Sequence, residues 1–431
     1  MNTKKKKVEQ LVSNLGMKAQ KSFQKMLDVT TKQKNKTLVD IAEKISLNRD
    51  AIFEANKKDI NIAKNMGHDD AFINRLTLNE KAVQSMIDGI LKIVSLADPV
   101  GEINNVQEQP SGISVGTMRV PLGVILMIYE SRPNVTIDAA ALCLKSGNSV
   151  ILRGGSESLN SNLELLKICT SALKKNNMPL NSIQLVPTTD RNVVGKLITS
   201  EKYIDVIIPR GGKSLIERIS MDAKVPVIKH LDGICHIYVD CYADLDKACK
   251  LTINSKTQRL ATCNTLETLL VSEKIANKFI PQVCDLLQKK EVELRICNKS
   301  KIILKNKKFK NKKNIKLATN NDWKTEYLDA ILSIKIVSDI HNAIDHIAKY
   351  GSQHTDSIVT ENHENAMLFL KKIDSSSVMI NTSTRFADGF EYGLGAEIGI
   401  STNKLHARGP VGLKSLTTKK WVVFGNGHIR T

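Results

Sequence analysis

Val124-Ile125-Leu126-Met127-Ile128-Tyr129 is a run of six apolar residues with no polar position between them. A strand with one wet face alternates apolar and polar residues. A short unbroken run instead reads as a strand buried on both faces of a parallel sheet. Its surroundings support that reading. A helix is expected over 136–145, stopping at Gly147, followed by Ser149-Val150-Ile151-Leu152, a turn at Gly154-Gly155 and a long helix to about Lys175. Ile183-Gln184-Leu185-Val186, a helix near 190–199 and Asp205-Val206-Ile207-Ile208 come next. The last of these enters Pro209-Arg210-Gly211-Gly212 and a helix from Lys213. Strands alternating with helices through short turns mean βαβ units and a doubly wound α/β sheet.

A second series opens at Ile237-Tyr238-Val239. Helices are expected over 243–255, 274–288, 340–349 and 363–373. Strands are expected at Leu266–Val271, Ile331–Val337, Ser357–Thr360 and Ser377–Asn381. The organisation is thus two tandem α/β domains divided near residue 230. The first hundred residues read as helical: Leu38, Ile41, Ile45 and Ile52 share a face, and Val83, Met86, Ile87, Ile90, Leu91 and Val94 repeat at helical spacing until Pro99 and Gly101. Residues 107–121, with Pro110, Gly112 and Gly116, read as a projecting strand or hairpin.

The 431 residues are 42% hydrophobic and 25% charged, as in soluble globular proteins. No stretch approaches the ~18 apolar residues of a membrane span. Lys4–Lys7 has no apolar segment after it and is not expected to be a secretory signal. The eight cysteines form no Cys-x-x-Cys pair. His341 and His346 miss the i,i+4 spacing of a helical metal site, so no metal is expected and the thiols read as reduced, in a cytoplasm. The net charge of +19 makes nucleic-acid binding an alternative, but aromatics at 4% leave few platforms on which bases stack. The lysine-rich run at 305–313 reads as a solvated loop.

Cys263 differs from cysteines set in apolar runs, such as Cys169. Its neighbours are Thr262, Asn264 and Thr265, with Lys256 and Arg259 upstream. A polar, locally positive setting lowers a thiol's pKa and favours the nucleophilic thiolate. The alternative is a quiet cysteine that merely precedes a strand. Its place just inside the second domain puts it at a cleft mouth, where such folds collect ligands. Two loops leave strands with Arg-Gly-Gly: Arg153-Gly154-Gly155-Ser156 and Arg210-Gly211-Gly212-Lys213. Glycines there let backbone approach a ligand, the next helix N-terminus favours an anion, and arginine adds a grip on phosphate. The alternative is a pair of glycine-rich turns. No G-x-G-x-x-G follows an early strand, so a dinucleotide would need a non-standard Rossmann-like arrangement.

Several long motifs in one order carry a resemblance. They are Val120-Pro121-Leu122-Gly123-Val124 through Tyr129-Glu130-Ser131-Arg132-Pro133-Asn134-Val135-Thr136, then Ile208–Gly212, His230-Leu231-Asp232-Gly233, and Cys263-Asn264 with Glu267–Val271. Residues 381–389, 393–402 and 406–410 continue the series. Over nearly its whole length the chain resembles the aldehyde dehydrogenase superfamily, within it the branch acting on gamma-glutamyl phosphate. The resemblance implies NADPH-dependent reduction of L-glutamyl 5-phosphate to glutamate 5-semialdehyde in proline biosynthesis, the substrate being supplied by a glutamate kinase. It implies Cys263 as nucleophile, forming a thioester. The backbone N–H of Cys263, with Asn134 or Arg132, would complete an oxyanion site, Arg132 alternatively binding phosphate.

The cofactor NADP(H) would be held by Arg153, Gly154, Gly155 and Ser156, by Pro209, Arg210, Gly211 and Gly212, and by Glu326 at the nicotinamide ribose. His230 stands where aldehyde-oxidising members keep a water-activating glutamate, and the implied substrate groups are His230, Asn381, Ser383, Thr384 and Arg385. Leu260 replaces the proline usual before the cysteine. The implied architecture is two Rossmann-like domains: 1–106 and 122–231 for NADP, and 232–404 for catalysis. Residues 107–121 and 412–431, with Trp421-Val422-Val423-Phe424, would form an oligomerisation arm, giving a homodimer or homotetramer. Other readings are another enzyme of the superfamily, a nucleic-acid binder, and a catalytically silent scaffold.

Overall fold

The computed structural model describes residues 2–305 and 314–430. The lysine-rich run expected as a loop therefore lies, from residue 306 on, outside the described residues. The chain forms two compact units: 1–229 with 393–399 and 410–431, and 230–392 with 400–409. Among the described residues no helix is long and apolar enough to cross a membrane.

The first unit begins with five helices: Asn2–Met26 (α1), Thr31–Leu47 (α2), Arg49–Asn65 (α3), Asp70–Leu76 (α4) and Glu80–Ser95 (α5). Helix α5 starts where the Asn79 side chain accepts the Ala82 N–H, and it buries Val83, Met86, Ile87, Ile90 and Ile93. Leu91 stays exposed, and Ile93 takes the core position expected for Val94. Ile52 is buried from α3, a separate helix from the one carrying Leu38, Ile41 and Ile45. Ile103–Glu108 (β1) and Ser114–Pro121 (β2) form an antiparallel hairpin, and Thr417–Phe424 pairs along the whole of β2.

The apolar run Val124–Tyr129 (β3) is buried at all six positions. Parallel to it lie Ser149–Arg153 (β4), Ile183–Leu185 (β5) and Val206–Arg210 (β6), in the order β5-β4-β3-β6. Val124, Leu126 and Ile128 pack with Val12, Leu15 and Ala19 of α1 in one apolar cluster. Each such side chain contributes about 1.5–3 kcal/mol on burial, which explains why the run admits no polar residue. The intervening helices are Asn134–Lys145 (α6), Leu159–Lys175 (α7), Arg191–Leu197 (α8) and Lys213–Asp222 (α9).

The second unit is built on seven parallel strands. They are Cys235–Val239 (β7), Leu266–Ser272 (β8), Glu293–Ile296 (β9), Ile315–Leu317 (β10), Ile331–Val337 (β11), Thr355–Val359 (β12) and Ser377–Ile380 (β13). Their order is β10-β9-β11-β8-β7-β12-β13. Helices Leu245–Thr257 (α10), Glu273–Lys289 (α11), Asn298–Leu304 (α12), Ile340–Tyr350 (α13) and His363–Lys372 (α14) connect them. Among the described residues, apolar clusters centred on Ile237, Leu269 and Phe279 and on Tyr238, Leu270 and Phe369 hold this unit together. β9 and β10 are short and weakly patterned, and the sequence reading had no strand there.

Candidate active site

Four neighbouring strands, β11-β8-β7-β12, bring together the segments that precede them. Glu326 comes before β11, Cys263 before β8, His230 and Gly233 before β7, and His354 before β12. Adjacent strands are about 4.8 Å apart, so residues far apart in sequence become neighbours. The site therefore sits at the amino edge of the second unit's sheet. The carboxyl-edge rule for open α/β sheets, used to place Cys263 at a ligand-collecting mouth, does not describe this position.

Cys263 is half-buried, and the metal-competent atoms of His230, Cys263 and His354 all lie within 4.8 Å of one another. The two imidazoles meet edge to face, with ring centroids 5.4 Å apart. Burial would raise the thiol's pKa. Charge on His354, hydrogen bonding from both rings and charge on His230 overcome that and hold it well below the usual value. The lowering was expected from Lys256 and Arg259. Lys256 is instead fully buried in an ion pair with Glu267 at 2.8 Å, and Arg259 is exposed. His354, which the sequence reading missed, supplies much of the effect. Its only local signal was a histidine just ahead of a strand.

The two rings are oriented by their other nitrogens. Nδ1 of His230 lies 2.8 Å from the Ile400 carbonyl, and Nδ1 of His354 lies 2.9 Å from Thr355 Oγ1. The Cys263 backbone is pinned as well: Cys235 donates its thiol proton to the Cys263 carbonyl at 3.2 Å. Oε1 of Glu326 accepts the Gly233 N–H at 3.0 Å. Burial first, and then charge on Cys263 and Asp232, raise the Glu326 pKa against that hydrogen bond.

The loop after β13 clasps the Cys263 loop. Arg385 donates from Nε to Gln258 at 2.8 Å and from Nη1 to Thr262 Oγ1 at 2.9 Å, and Asn264 donates to the Ala387 carbonyl at 3.0 Å. Ser383 and Thr384 are buried. The Ser383 hydroxyl pairs with Ser255 at 2.9 Å, and Ser255 Oγ accepts the Thr384 N–H. These bonds tie the loop to α10, while the buried Thr384 hydroxyl has no hydrogen-bond partner. Asn381, at the carboxyl end of β13, accepts the Thr360 N–H at 3.0 Å and donates to the Thr360 carbonyl at 2.9 Å. That end is the opposite edge of the sheet from Cys263, so Asn381 acts as a strand clamp. Of this group, Arg385 and His230 stand at the thiol.

In the first unit the glycine turns lie at the carboxyl ends of β4 and β6. A Cβ on Gly154 would come within 2.0 Å of Asn162 Nδ2, so the turn after Arg153 is closely packed, and Ser156 beyond it is exposed. Arg153 is half-buried, between the carboxylates of Glu157 and Glu130 and the charge of Arg191. Pro209 is a buried internal residue of β6, tolerated because β6 is the edge strand. Arg210, Gly211 and Gly212 form the turn itself. The α9 N-terminus is already engaged, since Glu130 Oε2 accepts the Gly212 N–H at 2.9 Å. Asn134 donates to Asp138 at 3.0 Å, and burial lifts the Asp138 carboxyl to about 6. Arg132 is half-buried at the start of the same turn.

Residues 2–311 match the family model described as the aldehyde dehydrogenase family. The gamma-glutamyl phosphate reductase of Thermotoga maritima is 44% identical. The match covers 97% of this chain and 100% of that one, with a TM-score of 0.94. That of Saccharomyces cerevisiae is 31% identical over 97% and 98% of the two chains, with a TM-score of 0.53. An acetylating aldehyde dehydrogenase from Geobacillus thermoglucosidasius, 17% identical over 99% and 98%, shares the fold with a TM-score of 0.69.

Proposed function

The chain belongs to the aldehyde dehydrogenase family of oxidoreductases, and from its site we propose that it reduces L-glutamyl 5-phosphate to glutamate 5-semialdehyde. The observation that carries this reading is the Cys263 thiol set between His230 and His354, which hold its pKa well below the usual thiol value. The thiolate attacks the acyl carbon, the C–O bond to phosphate breaks, and inorganic phosphate leaves with the electron pair. The product is a thioester on Cys263. NADPH, when bound, supplies the hydride that reduces it. The sulfur then departs as thiolate, and the aldehyde is released.

The remaining groups serve this scheme. His230 stands in place of the carboxylate base of aldehyde-oxidising members, and its ring is engaged with the Ile400 carbonyl and with Cys263. Arg385, already bonded to Thr262, offers its guanidinium to the substrate's anionic groups. The residues of the first unit fit a phosphorylated nucleotide. Arg153 and Arg191 would favour an anion such as a 2′-phosphate, in competition with the carboxylates of Glu157 and Glu130 beside Arg153. The Arg210-Gly211-Gly212 turn and Ser156 would hold further phosphate or ribose groups, and Glu326 a ribose. Asn134 or Arg132 would add an oxyanion donor.

The hairpin with Thr417–Phe424 exposes Ile103, Val106, Trp421, Val423 and Phe424. Such an apolar sheet suits pairing with a second copy, giving a homodimer or homotetramer. The proposed setting is cytoplasmic proline biosynthesis, with the acyl phosphate made by a glutamate kinase.

The test is the reverse reaction: oxidation of glutamate 5-semialdehyde in the presence of NADP⁺ and phosphate, compared with NAD⁺ and with simple aldehydes. Phosphate-dependent turnover favouring NADP⁺ is expected. Turnover independent of phosphate would overturn the acyl-phosphate reading, and full activity in Cys263→Ser would overturn the covalent one.

A further inference from the structure

We propose that His230, Cys263 and His354 form an inhibitory binding site for a thiophilic divalent cation of the Zn²⁺ class. The inference rests on the placement of three donors and not on the identity of the substrate. No local spacing hints at it, because the donors come from three separate segments. The fold sets them side by side, with all three ligand atoms within 4.8 Å of one another.

The chemistry of the set is specific. Two imidazoles and one thiolate suit Zn²⁺ and Co²⁺ rather than Mg²⁺ or Ca²⁺, which take oxygen ligands. Zinc binds nitrogen at about 2.0–2.1 Å and sulfur at about 2.3 Å, so ligands on one tetrahedral ion stand roughly 3.3–3.7 Å apart. From the upper limit of 4.8 Å, the separations would have to close by roughly 1.1–1.5 Å. Three protein ligands leave a fourth position for water, the arrangement of an open zinc site.

Two further observations point the same way. Metal-binding histidines generally tie their second nitrogen to a polar partner such as a carboxylate or backbone carbonyl, which fixes the ring. Here Nδ1 of His230 faces the Ile400 carbonyl, and Nδ1 of His354 faces Thr355 Oγ1. In addition, Nε2 of the fully buried His354 has no well-formed hydrogen bond. Beyond its interaction with the Cys263 thiol, which would bind the same ion, the ring has this nitrogen to offer a cation once it is unprotonated.

Binding replaces the thiol proton by a metal–sulfur bond and releases that proton to solvent. The coordinated sulfur can no longer attack an acyl carbon, so the cation inhibits, and it shields the sulfur from alkylation and oxidation. Removing the cation restores the nucleophile.

The test uses Co²⁺ as a spectroscopic probe on the full chain. Expected is a near-ultraviolet thiolate-to-cobalt charge-transfer band saturating at one ion per chain, abolished by a chelator and displaced by Zn²⁺. The band should be lost in Cys263→Ser and in His354→Ala, and kept in Cys297→Ser, which changes a half-buried thiol outside the triad. Zn²⁺ should slow iodoacetamide alkylation of Cys263 at least tenfold. If His354→Ala does not fold, the near-isosteric Cys263→Ser decides the matter. No band in the wild-type protein, or one that persists in Cys263→Ser, overturns the proposal. Alkylation of metal-free protein reports on the nucleophile separately, so failure of the metal site leaves the catalytic reading standing.

Discussion

Gly233 lies flush against the backbone of Cys263: a Cβ at position 233 would stand 1.9 Å from the Cys263 carbonyl oxygen and 2.6 Å from its Cα. Both contacts are with backbone, so no side-chain rotation relieves them. Glu326 fixes this approach by accepting the Gly233 N–H. The position of the nucleophile is thus set by a glycine thirty residues upstream and by a carboxylate from a third segment.

Gly233→Ala should therefore push the Cys263 loop outward. Displacing a nucleophile by about 1 Å costs on the order of 10²-fold in rate. A comparable fall in kcat is expected, with overpacking lowering stability by about 1–3 kcal/mol. Steady-state kinetics and thermal unfolding measure the two. A variant with unchanged kcat would show that the close approach is irrelevant to catalysis.

The pH dependence of alkylation tests the imidazole pair. Because the Cys263 pKa is held well below that of an ordinary thiol, the thiolate is present above the lowered value and is lost as pH falls through it. The rate of reaction with iodoacetamide should stay on its plateau at neutral pH. In His354→Ala or His230→Ala the inflection should move upward, leaving the plateau only at alkaline pH. Identical profiles in all three proteins would remove the histidines from the account.

Lys256 and Glu267 form an ion pair in which both side chains are fully buried. Lys256→Met should destabilise by about 3–5 kcal/mol, because it leaves Glu267 buried without its partner. The sign with pH follows from Glu267, which burial raises to about 7 even with Lys256 present. A carboxyl whose folded pKa lies above its unfolded value favours the fold below the unfolded pKa, and that contribution is lost as pH rises through the folded one. Without Lys256 the folded value rises further, so the deficit should be larger at pH 8 than at pH 5. Denaturant titrations at both values check this. Because Glu267 also accepts the Leu328 N–H near Glu326, some loss of activity is expected with the loss of stability.

Trp421 is 75% exposed on the outer strand of the three-stranded sheet. If that sheet pairs copies of the chain, Trp421→Glu should shift the assembly toward monomer, as read by light scattering at micromolar concentration. Far-ultraviolet circular dichroism should be unchanged. An unaltered mass would exclude this surface from the interface.

Periodicity and turn chemistry are local, and they were legible in the chain. The run at 124–129, the Arg-Gly-Gly turns and the alternation of strand with helix specify two α/β sheets, because each pattern states how a segment buries itself. Cys263 stood out for the same reason: its polar neighbours are adjacent in sequence. What the sequence could not order was the strands within each sheet. Only the arrangement β11-β8-β7-β12 sets Glu326, Cys263, His230 and His354 side by side, and it does so at the amino edge rather than the carboxyl edge. It also turned Lys256 inward to Glu267, paired Ser383 with Ser255 and paired Asn381 with Thr360. Hydrophobic patterning fixes which face a strand buries but carries no record of which strand lies beside it. The thiol was therefore apparent from sequence, while the histidines that lower its pKa were assigned by tertiary structure alone.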